Sequence, residues 1–115
     1  MMEGTMIVIR SGPERLARVA EGLRLSAAML GMDSAPVIVF LDDGVECLRR
    51  GTFTDPTILE YLLVASDMAG IHALSDSVSE RGVTDGDLEP EVKMFRVNVD
   101  WIASEMAECG SVVTF

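Results

Sequence analysis

Short apolar runs alternate along this chain with stretches whose apolar positions recur every three or four residues. Met6-Ile7-Val8-Ile9 predicts a short buried strand. Ser11-Gly12-Pro13-Glu14 follows, with Ser11 placed to cap a helix and Glu14, three residues on, to reach back to it. Leu16, Val19, Ala20, Leu23, Ala27 and Leu30 then mark the inner face of that helix. Arg15, Arg18, Glu21 and Arg24 take its wet side, and Gly31 sits where a left-handed C-terminal cap belongs. Pro36 to Leu41 is apolar on both faces, the pattern of a strand covered from two sides. Asp42-Asp43-Gly44 ends it, one aspartate read as the cap of the next helix and the other as solvated. A short helix is expected over 45–50, stopped by Gly51. Asp55 and Pro56 open the next helix, as cap and first helical residue. Its inner face is Ile58, Leu59, Leu62, Leu63, Ser66 and Ala69, and Gly70 ends it.

Ile71 to Leu74 predicts a third buried strand, followed by a polar loop and one or two helical turns ending at Gly82. Residues 83–91 are acidic and rich in turn formers, by composition the most mobile part of the chain. Lys93 to Val97 is a fourth strand. Asn98 caps a helix running to about Glu108, with Trp101, Ile102 and Met106 among its apolar contacts, and Gly110 stops it. Ser111 to Phe115 is a closing strand. Five strands alternating with helices predict an α/β fold, a mostly parallel sheet with helices on both faces, in one domain over 1–115. Sites in such folds gather beyond the carboxyl ends of the strands. Those ends carry Ser11, Asp43, Ser75, Asp76, Ser77 and Asn98, which are the candidate ligand-binding residues. Ser75, Asp76 and Ser77 are expected to line a shallow pocket with the neighbouring strand ends.

Composition narrows the function classes. No apolar run approaches the roughly 20 residues of a membrane span, and no basic segment leads into a long apolar one near the N-terminus, so a cytoplasmic location is expected. The net charge is −10, from nineteen acidic and nine basic residues, which argues against nucleic acid as a partner. Cys47 and Cys109 form no CxxC, and the single histidine, His72, cannot complete a zinc set with them. No metal and no cofactor are expected. Cys47 reads as a small buried thiol beside Arg49 and Arg50, Cys109 as structural, and both as poorly reactive. His72 reads as a satisfied or interface histidine. Ser11-Gly12 has two readings, an anion site at a helix N-terminus and a simple cap; the absence of GxGxxG and GxxxxGK favours the cap. Nearly half of the residues are apolar, eight of them methionine. The bulk in Met94, Phe95, Val97, Val99, Trp101 and Ile102 exceeds what one sheet face buries, so a homo-oligomer is expected.

Phe40-Leu41-Asp42-Asp43-Gly44-Val45, Arg81-Gly82-Val83 and the closing Val112-Val113-Thr114-Phe115 carry a family resemblance. In their order and spacing the chain resembles the DsrE/DsrF-like (TusD/TusC-like) family of small sulfur-relay proteins along nearly its full length. The resemblance implies a flavodoxin-like three-layer sandwich, assembly into trimers or hexamers, and sulfur-relay protein partners. It also implies a persulfide-bearing cysteine in the loop after the third strand. Counting seven positions back from Arg81 reaches Leu74, with Ser75 next, and no cysteine lies between Ile71 and Val83. A serine hydroxyl cannot hold persulfide sulfur, so the resemblance implies a sulfurtransferase-like component acting as a non-carrier subunit, unless Cys47 or Cys109 carries the sulfur. The alternative is a non-catalytic oligomeric module that binds a small ligand or a protein at the strand-end cluster. A serine acyl-transfer enzyme ranks third, because Ser75 or Ser77 needs a base and His72 lies on the preceding strand.

Overall fold

The computed structural model describes residues 4–115; residues 1–3 of the expected 1–115 domain lie outside the described residues. Five strands form one sheet: β1 (Gly4–Ile9), β2 (Val37–Phe40), β3 (Ile71–Leu74), β4 (Met94–Val97) and β5 (Cys109–Thr114). Their order is β4-β3-β2-β1-β5, and every neighbouring pair runs parallel. The helices are α1 (Leu16–Gly31), α2 (Pro56–Met68), α3 (Ser75–Glu80) and α4 (Val99–Glu108). The first three crossovers step one way along the sheet, and the fourth returns past β1 to the other edge. Right-handed crossovers then put the early helices on one face and α4 on the other.

The two faces divide the apolar residues by strand alternation. Ile7, Ile9, Ile38, Phe40, Ile71 and Ala73 pack with Val19 and Leu23 of α1 and Leu62 and Ala65 of α2. Met6, Val8 and Val39 form the smaller cluster under Ile102 of α4. Phe40, Leu23 and Leu62 are completely buried, and each such side chain contributes about 1.5–3 kcal/mol.

Several local expectations are corrected by the structure. Ser11 does not cap α1. Gly12 begins a 3₁₀ turn over Pro13–Arg15, without a side-chain cap, and α1 starts at Leu16. Gly31 is the last helical residue, and the left-handed residue beyond it is Asp33, at φ 57°. Residues 42–48 form a 3₁₀ helix rather than a short helix from 45, and neither aspartate caps it. The acidic stretch 83–91 is pinned. Thr84 and Asp87 form a reciprocal capping box, the Arg50 N–H donates to the Asp87 carbonyl (2.8 Å), and the Glu89 N–H donates to the Leu48 carbonyl (2.9 Å). Val83, Leu88 and Val92 anchor that stretch in the core. Asp55, by contrast, caps α2 through the Thr57 N–H at 2.8 Å, with Pro56 first in the helix.

Candidate functional site

The 3₁₀ segment that follows β2 passes very close to the carboxyl end of β1. The Leu41 N–H donates to the Ile9 carbonyl at 3.0 Å. Gly44 lies so near β1 that a Cβ there would sit 2.2 Å from the Ile9 oxygen. Between them Asp42 is held at φ 52°, a left-handed conformation that costs a non-glycine residue energy. Two contacts hold it there. Arg10 Nε donates to Asp42 Oδ2 at 3.0 Å, and the Asp42 N–H donates to Ser77 Oγ at 2.9 Å.

Ser77 is therefore a buried positioning group, its oxygen spent on the backbone. The helical turns expected to end at Gly82 are α3, but no polar loop precedes them: α3 starts at Ser75 directly from β3. Only Ser77 and Val78 of α3 are buried, and the helix ends where Gly82 turns left-handed at φ 64°. Arg81 fastens α3 to the end of β2: its Nη2 and Nε donate to Asp43 Oδ1 at 2.9 and 3.2 Å. Ser77 and Asp43 thus share one end of the sheet with Ser11.

The cleft at that end, about 420 Å³, is lined by Arg10, Ser11, Glu14, Arg15, Arg18, Asp42, Asp43, Thr114 and Phe115. Ser11 and Asp43 line it; Ser75, Asp76 and Ser77 do not. Ser75 is half-buried and Asp76 exposed, and neither makes a side-chain hydrogen bond among the described residues. Asn98 has a local task, its Oδ1 accepting from the Trp101 N–H at 2.8 Å to cap α4. Sequence reasoning missed Arg10 and Arg81, and placed Arg15 and Arg18 simply on the wet face of a helix. The available signal was their position: arginines at the start of a helix, where the dipole disfavours them, beside one at the end of β1.

Neither thiol suits nucleophilic chemistry. Cys47 is buried below Ser11, its Sγ–H donating to the Ser11 carbonyl at 3.6 Å. Burial pushes its pKa up to about 12, and Glu14, Glu46 and Asp43 push the same way. Arg49, two residues on, is committed elsewhere, to Glu46 (3.0 Å), Asp87 (3.4 Å) and the Arg81 carbonyl (2.8 Å). Burial, then Glu105 and Glu108, also raises the Cys109 thiol. His72 lies on the α4 face, with Nδ1 3.1 Å from the Ile38 carbonyl oxygen and its ring stacked on Trp101 at 4.6 Å. That placement gives Ser75 and Ser77 no histidine base, which removes the geometry a serine acyl-transfer enzyme requires. Among the described residues no group of histidine, cysteine and acidic side chains could hold a metal ion, and no helix is long and apolar enough to cross a membrane.

Comparison with known proteins agrees with this architecture. The family model described as DsrE/DsrF-like matches residues 4–115. No curated protein matches the chain in sequence. Among solved structures the chain is similar to the ychN protein from E. coli, at TM-score 0.77 and 18% identity, over 99% of this chain and 100% of that one. It is also similar to MTH1491 from Methanobacterium thermoautotrophicum, a protein of unknown function, at TM-score 0.64 and 18% identity, over the whole of both chains.

Proposed function

We propose, for a chain that belongs to the DsrE/DsrF-like family, the role of a non-carrier subunit in a sulfur relay. The observation that carries this reading is the first turn of α3. A carrier in this family needs a cysteine there, and this chain places Ser75 and Ser77 there instead, with the Ser77 hydroxyl already bound to the Asp42 N–H. Cys47 offers no substitute. A persulfide forms when a thiolate attacks a sulfur donor, and a thiol with a pKa near 12 supplies almost no thiolate at neutral pH. The subunit would then act by contact. It would hold a cysteine-bearing relative in an assembly, a homo-oligomer of trimeric or hexameric kind being the simplest form of its own association.

The test is incubation with inorganic polysulfide, followed by intact-protein mass spectrometry and by mixing with a cysteine-bearing family member. The expected result is no gain of a sulfur atom on Cys47 or Cys109, together with a mixed assembly that changes sulfur transfer by the relative. A stable added sulfur on either cysteine overturns the non-carrier role. Self-assembly alone, with no effect on the relative, transfers support to the second reading, an oligomeric binding module. The strand-end cleft favours that alternative because it has room for a small ligand.

A further inference from the structure

The cleft beyond β1, β2 and β5 is anomalous in charge. The chain carries −10 overall and only nine basic residues, yet Arg10, Arg15 and Arg18 all line this one space. Asp42 pairs with Arg10 and Asp43 with Arg81, which among the described residues leaves Glu14, Arg15 and Arg18 as the unpaired charges of the lining, one net positive. Arg15 makes no ion pair among the described residues and is exposed. Arg18 spends one N–H on the Thr114 carbonyl (3.2 Å) and lies over the Phe115 ring at 5.9 Å. Those two contacts set its guanidinium at the edge of the cleft with its other N–H donors unspent.

The placement is unfavourable for an empty site. Arg15 flanks the first residue of α1 and Arg18 lies in its first turn, which has no acidic residue and no side-chain cap; the one carboxylate nearby in sequence is Glu14, in the 3₁₀ turn that leads into the helix. Cations at a helix N-terminus oppose the dipole, and an anion bound between them reverses the sign of that interaction. The volume, about 420 Å³, is many times the roughly 30 Å³ that one water occupies in the liquid, so a tetrahedral anion enters with part of its hydration. We infer that this cleft binds a small tetrahedral oxyanion of the sulfate or phosphate kind, gripped by Arg15 and Arg18 and bordered by Arg10 and Ser11. The inference stands apart from the sulfur-relay reading, since it uses neither cysteine nor α3.

The experiment is a titration of the whole chain with inorganic sulfate and, separately, inorganic phosphate at low ionic strength, followed by heat and by thermal midpoint. Saturable binding of at least one of them is expected, and the tighter of the two identifies the preferred anion. Arg15→Gln and Arg18→Gln should each weaken it by about tenfold, the loss of one charge-assisted contact. Arg24→Gln should leave it unchanged, because Arg24 pairs with Glu21 on another face of the same helix. All three sites are exposed, so folding does not confound the comparison. A non-saturating response to both anions overturns the inference, as does an equal effect of Arg24→Gln or no effect of the two cleft substitutions.

Discussion

A buried hydroxyl bonded to a strained backbone contributes to stability, and Ser77 is in that position. Ser77→Ala leaves the Asp42 N–H without its acceptor at a residue already held at positive φ, a loss of about 1–3 kcal/mol in urea unfolding. Ser75→Ala, two residues earlier, should stay within about 0.5 kcal/mol, because that hydroxyl makes no bond to lose. The pair of measurements separates a structural serine from a merely polar one. Cys47 makes a pH-dependent prediction. Its folded pKa, about 12, stands above the ordinary thiol value of 9.0, so the neutral thiol is the form the fold favours. The associated stability is fully present below pH 9.0 and is lost as pH rises toward 12, because the unfolded chain ionises first. Thermal unfolding followed over that range should fall less steeply for Cys47→Ala than for the parent, and equal slopes would contradict the assignment. At neutral pH the parent thiol should resist iodoacetamide until denaturant is added. A buried thiol at Cys47 was legible because free cysteines are among the most buried residues and no histidine neighbours this one in sequence. The task of Ser77 was not, because its partner, Asp42, is thirty-five positions away in sequence and meets it only across two strand ends.

Glycines show the same contrast at the level of elements. Gly44 and Gly31 look alike in the sequence, each closing a short apolar pattern. Gly44 is where the 3₁₀ helix after β2 passes against β1, and a Cβ 2.2 Å from the Ile9 oxygen has nowhere to go because both partners are backbone. Gly44→Ala should cost at least the 1–3 kcal/mol typical of overpacking. Gly31 ends α1 with nothing within 4 Å of the added atom and no positive φ, so Gly31→Ala should stabilise by roughly 0.5–1 kcal/mol. Denaturant midpoints shifted in opposite directions for the two alanines would establish the close approach; a tolerated Gly44→Ala would mean that it opens. The strands, α1, α2 and α4 were legible because apolar period and turn residues agree over each of them. Helix α3 was not. Ser-Asp-Ser-Val-Ser-Glu shows a single apolar residue, Val78, and its conformation is fixed by that contact and by Arg81 gripping Asp43. The acidic stretch misled for a related reason. Its composition is that of a loop, but Thr84, Asp87 and Glu89 bind backbone and Arg49 so that Leu88 reaches the core.

Across the molecule, the two faces of the sheet are unequally covered. One carries α1 and α2. The other carries α4 alone, with Ile102 as its buried anchor. Phe95 of β4 remains 53% exposed and Val99, the first residue of α4, 59%, with His72 5.9 Å from the Phe95 ring and stacked in turn on Trp101. Val112 and Val113 leave further apolar surface on the β5 edge. An aromatic group grading from buried to exposed, on the thinly covered face, is the anchor that an interface between copies would use. A net charge of −10 on each copy opposes association, so the contact must be apolar at its centre and should tighten as salt screens the repulsion. Sedimentation at micromolar concentration should therefore show a species larger than the monomer, shifting upward from low to moderate salt. Phe95→Glu should release monomers with unchanged far-ultraviolet circular dichroism, since the side chain is half in solvent and its loss leaves the core intact. A parent protein that sediments as a folded monomer at every salt concentration would end the proposal. A dimer would retain the aromatic interface while removing the trimeric arrangement that the family resemblance suggests.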